Sequence, residues 1–152
     1  MGEAADVDAA ASVYERSNLA RRQGCWPNRA ERVAHVKARL RDPDSWFLVA
    51  TDGPAFVAMA AAKALRGEDG AGPVVPRGCF LSHLFVVPER WEEGIGALLL
   101  DAVLAEAKRR DYSRMHLWTH EDNERSHRLY SSRGFSPTGK TAAGEGEWAR
   151  EL

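Results

Sequence analysis

Hydrophobic and polar positions in this chain recur with two different periods, and the changes of period mark out its elements. Val7, Ala10, Ala11, Tyr14, Asn18 and Leu19 lie at helical spacing in an alanine-rich stretch, which predicts a first helix from about Asp8, ended by Gly24-Cys25-Trp26-Pro27. Asn28 is the expected N-cap of a second helix that carries Val33, Val36 and Leu40 and stops before Asp42-Pro43. Trp46 to Thr51, an Asp52-Gly53 turn and Ala55 to about Leu65 read as a β-hairpin. The glycines and prolines between Arg66 and Gly78 predict a mobile surface loop. Cys79 to Val87 is apolar at nearly every position, the pattern of a strand covered on both faces. A helix from Gly94 to Arg110, a strand from Met115 to Thr119 and a helix from Asn123 to Arg133 follow, then short strands near Phe135–Lys140 and Glu147–Leu152.

The stretch LFVVPERWEEGIGALL, Leu84 to Leu99, holds the first chemical signal. It joins an apolar strand to an amphipathic helix through Gly94-Ile95-Gly96. A helix start leaves about four backbone N–H groups unpartnered and carries partial positive charge, so it favours anions, phosphates above all. Glycines there remove the Cβ atoms that would keep a phosphate away. The pattern fits a pyrophosphate site and ordinary tight packing alike.

The helix predicted over Asn123–Arg133 has only Leu129 and Tyr130 as large apolar residues, so no hydrophobic stripe accounts for it. Asn123, Ser126, His127 and Tyr130 fall at i, i+3, i+4 and i+7 and make one polar face bearing a phenol. Such a face is either solvated or turned to a ligand.

Composition narrows the class. With 152 residues, 44% hydrophobic and 28% charged, residues 1–152 are expected to form one globular domain. The 21 basic and 22 acidic residues give a formal charge of -1 with no basic block, so nothing points to nucleic acid as a partner. Cys25 and Cys79 fit no metal spacing and read as reduced thiols, and no run is long enough to span a bilayer. The expectation is a cytoplasmic protein with neither a metal nor a membrane partner.

WEEGIGALLL followed by N-x-x-S-x-x-L-Y-x-x-x-G-F, the latter at Asn123, Ser126, Leu129, Tyr130, Gly134 and Phe135, resembles the GCN5-related N-acetyltransferases, the GNAT superfamily, over about Asp6 to Leu152. The resemblance implies an α+β fold: a mixed, mostly antiparallel sheet flanked by helices, with a splayed parallel strand pair, Phe80–Val87 and Arg114–His120, forming a V-shaped cleft. It implies transfer of an acetyl group from acetyl-CoA, the co-substrate, to a primary amine of a small molecule, peptide or protein. Leu84, Phe85 and Val86 would line the thioester and pantetheine. Trp91, Glu92, Glu93, Gly94, Ile95, Gly96 and Ala97 would hold the pyrophosphate, with Asn123 and Ser126 at the pantetheine and Tyr130 beside the sulfur. Acceptor recognition would fall to Asn18, Arg21, Arg22 and Trp26, and a homodimer is a common state of the family, although no self-complementary patch marks one here.

Elementary chemistry gives these residues roles. Negative charge building on the carbonyl oxygen needs a preorganised donor, by analogy the Leu84 amide. The departing thiolate needs a proton, which a phenol such as Tyr130 can supply. The ammonium must first lose one, and His120, Glu121 and His83 are the candidate bases; His120 is preferred, whereas His83, on the face opposite Ser82, reads as structural. Glu92 and Glu93 stand where relatives often carry Gly and a basic residue, and would repel a pyrophosphate unless turned to solvent. A reading from another class, a non-catalytic acyl-CoA sensor or interaction module on the same fold, requires no phenol at the sulfur. A dinucleotide-binding oxidoreductase is disfavoured, because one Gly-x-Gly lacks the full fingerprint and position 99 is Leu.

Overall fold

The structure is a computed structural model describing Met1–Leu152. Its elements in chain order are α1 (Val7–Arg21), α2 (Arg29–Arg41), β1 (Ser45–Asp52), β2 (Ala55–Arg66), β3 (Val74–Val86), α3 (Ile95–Arg109), β4 (Arg114–His120), α4 (Glu124–Ser132), β5 (Ser136–Ala142) and β6 (Glu145–Glu151). The strands hydrogen-bond in the order β1-β2-β3-β4-β6-β5 as a mixed sheet, antiparallel except for the β3/β4 pair. That parallel ladder runs from Gly78↔Arg114 to Leu81↔Leu117, and both strands continue past it, β3 to Val86 and β4 to His120. The chain divides into two compact units, Met1–Ala62 with His83–Leu100, and Lys63–Ser82 with Asp101–Leu152.

The first unit is built on one apolar cluster. Val7, Ala10 and Val13 of α1, Val36 and Leu40 of α2, Phe47 of β1, Val57, Met59 and Ala61 of β2, and Val87 are all buried in it. The helical residues recur every three or four positions and the strand residues every second, so both periods direct their apolar positions into the same core. In β2 the run Val57 to Ala62 is buried throughout, because alanines at 58, 60 and 62 let both faces be covered closely. No strand precedes α1, but the Gly2 amide donates to the Phe47 carbonyl at 2.8 Å, and an added Cβ on Gly2 would collide with the Phe47 ring.

In the second unit, Met115, Leu117 and Thr119 of β4 are buried on one face, as are Val103, Leu104 and Ala107 of α3. β4 pairs antiparallel with β6 over its whole length. β5 is exposed at every residue, and its register shifts between Pro137 and Thr141. A proline, a bulge and Lys140 protect this open edge from pairing with another chain.

Two sequence expectations need correction. Asn28 does stand at the N-cap position of α2, yet its side chain makes no capping bond, since its backbone is left-handed at φ 59°. Arg66–Gly78 is not wholly a mobile surface loop. The amides of Gly67 and Gly72 bond to the carbonyls of Pro73 and Gly67 at 3.0 and 2.8 Å, closing a tight turn, and β3 already begins at Val74. Gly78 serves close packing there, because a Cβ at that position would lie 3.0 Å from the Leu65 Cβ.

Candidate active site

The first group of site residues lies in the first unit, where β3 passes through a short 3₁₀ turn, Pro88–Arg90, into α3. Leu84, Phe85 and Val86 are half-buried at the end of the strand. Trp91 folds back on that end, its indole N–H donating to the Val86 carbonyl at 2.8 Å. Glu92 and Gly94 both have left-handed backbone, at φ 68° and 82°, and left-handed residues at alternate positions are the pattern of an amide nest. Open space surrounds the place a Gly94 Cβ would occupy, so an anion can approach. The first helical bond of α3 runs from the Leu98 amide to the Gly94 carbonyl at 3.1 Å, so the amides of Ile95, Gly96 and Ala97 precede the ladder and remain for an anion. These residues fit a phosphate-bearing group.

Both acidic residues at this helix start are exposed. Glu93 is ion-paired with Arg90, whose other guanidinium edge bonds Asp52 at 2.9 Å. The Glu93 carboxylate thus shares the single positive charge of Arg90 with Asp52, which offsets its charge in part.

The second group lies in the second unit. Asn123 caps α4, its side-chain oxygen accepting the Ser126 amide at 3.2 Å. That bond commits the oxygen of Asn123 and the amide of Ser126 to the helix, and leaves the Asn123 NH₂ and the Ser126 hydroxyl for a ligand. Replacing Asn123 with Ala should cost about 1 kcal/mol of stability and lower Tm by about 2–4 °C in thermal denaturation. Tyr130 is buried, with its ring edge-on to Phe135 at 5.7 Å, and its hydroxyl makes no hydrogen bond within the protein. Burial pushes its phenol up to about 12, so the group holds its proton throughout the physiological range. His120 ends β4 with its Nε2 3.5 Å from Glu145 Oε1, and its carbonyl contacts His127 Nε2 at 3.0 Å.

His83 sits in the first unit against Tyr14 and Phe85, with ring centroids 5.6 and 6.2 Å away. Burial, helped by the positive charges of Arg39 and His35, pushes it down to about 4 and keeps it neutral. Asn18 is buried and spent on α1 itself, donating to the Tyr14 carbonyl at 3.1 Å and accepting from Arg21 at 3.3 Å.

Sequence reasoning missed one constellation in the second unit. His116 Nδ1 lies 3.3 Å from Glu147 Oε2, and Thr138 donates to the other Glu147 oxygen at 2.8 Å. Both His116 ring nitrogens are buried without a hydrogen bond in good geometry. The available signal was the two-residue alternation of β4, which puts His116 on the face of His120.

Solved acetyltransferases share this fold. The PaiA N-acetyltransferase from Thermoplasma acidophilum, solved with coenzyme A, superposes with a TM-score of 0.76 at 15% identity, covering 99% of this chain and 96% of that one. The ribosomal-protein-S18-alanine N-acetyltransferase from Escherichia coli gives 0.73 at 19% identity, with 99% and 90% covered. The ribosomal-protein-alanine N-acetyltransferase from Brucella melitensis gives 0.72 at 21%, with 99% and 97% covered. Likenesses at such identities establish the fold, and no curated protein matches the chain. The model of the acetyltransferase (GNAT) family matches residues 10–135, and the chain belongs to that family.

Proposed function

We propose that this chain is an N-acetyltransferase that moves the acetyl group of acetyl-CoA directly to a primary amine of a small molecule, peptide or protein. The observation that carries the reading is Tyr130: a buried phenol, protonated at working pH, with an uncommitted hydroxyl, on the same helix as the Asn123 cap. A sensor or interaction module would have no use for a phenol at the sulfur.

Acetyl-CoA, when bound, supplies the acetyl group as a thioester. The amides of Ile95, Gly96 and Ala97 and the open Gly94 turn, with Trp91, Glu92 and Glu93 in the same connection, hold its pyrophosphate. Phe85 and Val86 line the pantetheine, and the Asn123 NH₂ and Ser126 hydroxyl bond to it. The Leu84 amide donates to the carbonyl oxygen as charge develops there. Tyr130 gives its proton to the leaving sulfur. His120, steadied by Glu145, takes the proton of the acceptor ammonium directly or through water. The chain acts in the cytoplasm, in keeping with its two free cysteines, and no helix is long and apolar enough to cross a membrane.

Thiol release from acetyl-CoA, measured against polyamines, aminoglycosides, amino acids and short peptides with calorimetry of CoA on the same sample, tests the reading. Turnover with one class supports it and identifies the acceptor. Tight CoA binding without turnover on any amine favours the sensor, and an absence of CoA binding overturns the assignment of Trp91 to Ala97. His120→Gln should lower kcat by about tenfold or more near neutral pH. The deficit should shrink as pH rises toward the amine's own pKa of about 10, where the acceptor loses its proton unaided. A deficit independent of pH would remove His120 from the role of base.

A further inference from the structure

Four rings of the first unit form a continuous series. Tyr14 of α1 meets Trp26 at 5.6 Å, His83 at 5.6 Å and Phe85 at 5.0 Å, each in an edge-on contact. At the Trp26 end the Arg22 guanidinium lies over the indole, 5.6 Å from its centroid. Its Nε is buried and has no hydrogen-bond partner, an unusual state for a group that so readily finds a carboxylate.

Burial raises the Tyr14 phenol against the pull of Arg32, Arg22 and Arg21, and His83 is repelled by Arg39 and His35. Neighbouring cations are neutralised: Arg29 is paired with Glu15 at 2.6 Å, and Lys37 and Arg41 with Asp8 at 3.0 and 3.8 Å. Arg22 and Arg32 have no such partner. Uncompensated guanidinium groups beside a half-buried aromatic wall are the chemistry that recognises an oxyanion, through forked N–H donors and charge. A basic pair near a helix C-terminus accounts for Arg21 and Arg22 as dipole complement. It does not account for the Arg22 guanidinium lying over the Trp26 indole with no carboxylate partner.

We propose that Arg22, over the ring of Trp26 and beside Tyr14, forms with the added positive charge of Arg32 an oxyanion subsite for the acceptor, so that the amine this chain acetylates carries a carboxylate or a phosphate. The inference rests on the acyl-transfer reading and names the substrate class of that site. The series of rings ends at Phe85, next to Leu84, so an anion held by Arg22 is three ring contacts from the reacting strand. Neutral and polycationic amines are disfavoured by the same arginines.

The test uses three probes, the α-amides of N-acetylglutamate, N-acetyl-O-phosphoserine and, as the neutral control, N-acetylglutamine, titrated against the whole chain by calorimetry. One or both anions should bind about tenfold or more tightly than the neutral control, with affinity falling as salt rises. Whichever anion leads identifies the oxyanion. Arg22→Gln and Arg32→Gln, checked for intact fold by circular dichroism, should each remove most of the preference. Equal binding of charged and neutral probes, or a preference unchanged in both variants, overturns the subsite. Thiol-release assays separate this failure from that of the parent reading. Equal kcat/KM for amines with and without an anionic group discards the oxyanion subsite and leaves acetyl transfer standing. No thiol release with any amine discards acetyl transfer, and the probe titration still decides whether the arginines bind an oxyanion.

Discussion

Tyr130→Phe should lower kcat by about a hundredfold or more while leaving CoA affinity within a few-fold of the wild type, since general acid catalysis contributes about 10²–10⁴. The substitution removes one oxygen from a buried ring whose edge contact with Phe135 persists. Because the hydroxyl makes no hydrogen bond in the protein, its loss leaves no orphaned partner, and Tm should stay the same or rise slightly. Loss of rate therefore cannot be charged to misfolding. The pH profile gives a second check. A phenol pushed up to about 12 is in its acid form at lower pH, so the wild-type rate should show no descending limb from Tyr130 below that value. Undiminished turnover in the variant, measured as thiol release under saturating acetyl-CoA, would remove Tyr130 from the chemistry. Lost CoA binding would instead make it a cofactor contact.

The largest expected effect on stability is at Met59. Its side chain is fully buried in β2, in the cluster shared with Val7, Val13, Val36, Leu40 and Phe47. Met59→Ala removes three heavy atoms from the centre of that cluster, and substitutions of this kind cost about 2–5 kcal/mol in transfer and cavity terms. For a domain held together by roughly 5–15 kcal/mol, that is a large fraction of the total. A loss of about 3 kcal/mol lowers Tm by about 6–12 °C in a protein of this size. Leu98→Ala on α3 is the control: Leu98 is 70% exposed, and its truncation should stay within about 0.5 kcal/mol. Similar small shifts for both variants in urea or thermal denaturation would show that the Met59 site collapses around the missing atoms.

Much of the candidate site was readable before any coordinates. The glycine pair before α3 signals exposed amides, and Asn123, Ser126 and Tyr130 signal a helix with a polar face, because both patterns are set by spacing within one element. The setting of Glu93 was not readable for the opposite reason. Its charge is offset in part by Arg90, which it shares with Asp52 at the end of β1. The Arg66–Gly78 segment was not fully readable either: its glycines signal a loop, yet Gly78 lies inside β3, where a Cβ would come within 3.0 Å of the Leu65 Cβ.

By itself, then, the sequence determined the order of helices and strands, the family resemblance and the position of the glycine turn before α3. These depend on hydrophobic period, on glycine conformation and on residues a few positions apart, all local properties of the chain. Only the tertiary structure decided that Glu147 meets His116, that Glu93 pairs with Arg90 and that the Arg22 guanidinium lies over Trp26 with its Nε unpaired. Some of these partners are distant in sequence and others are neighbours, but none of the contacts follows from spacing. A side chain's charge, burial and protonation are set by whatever the fold brings within a few ångströms of it.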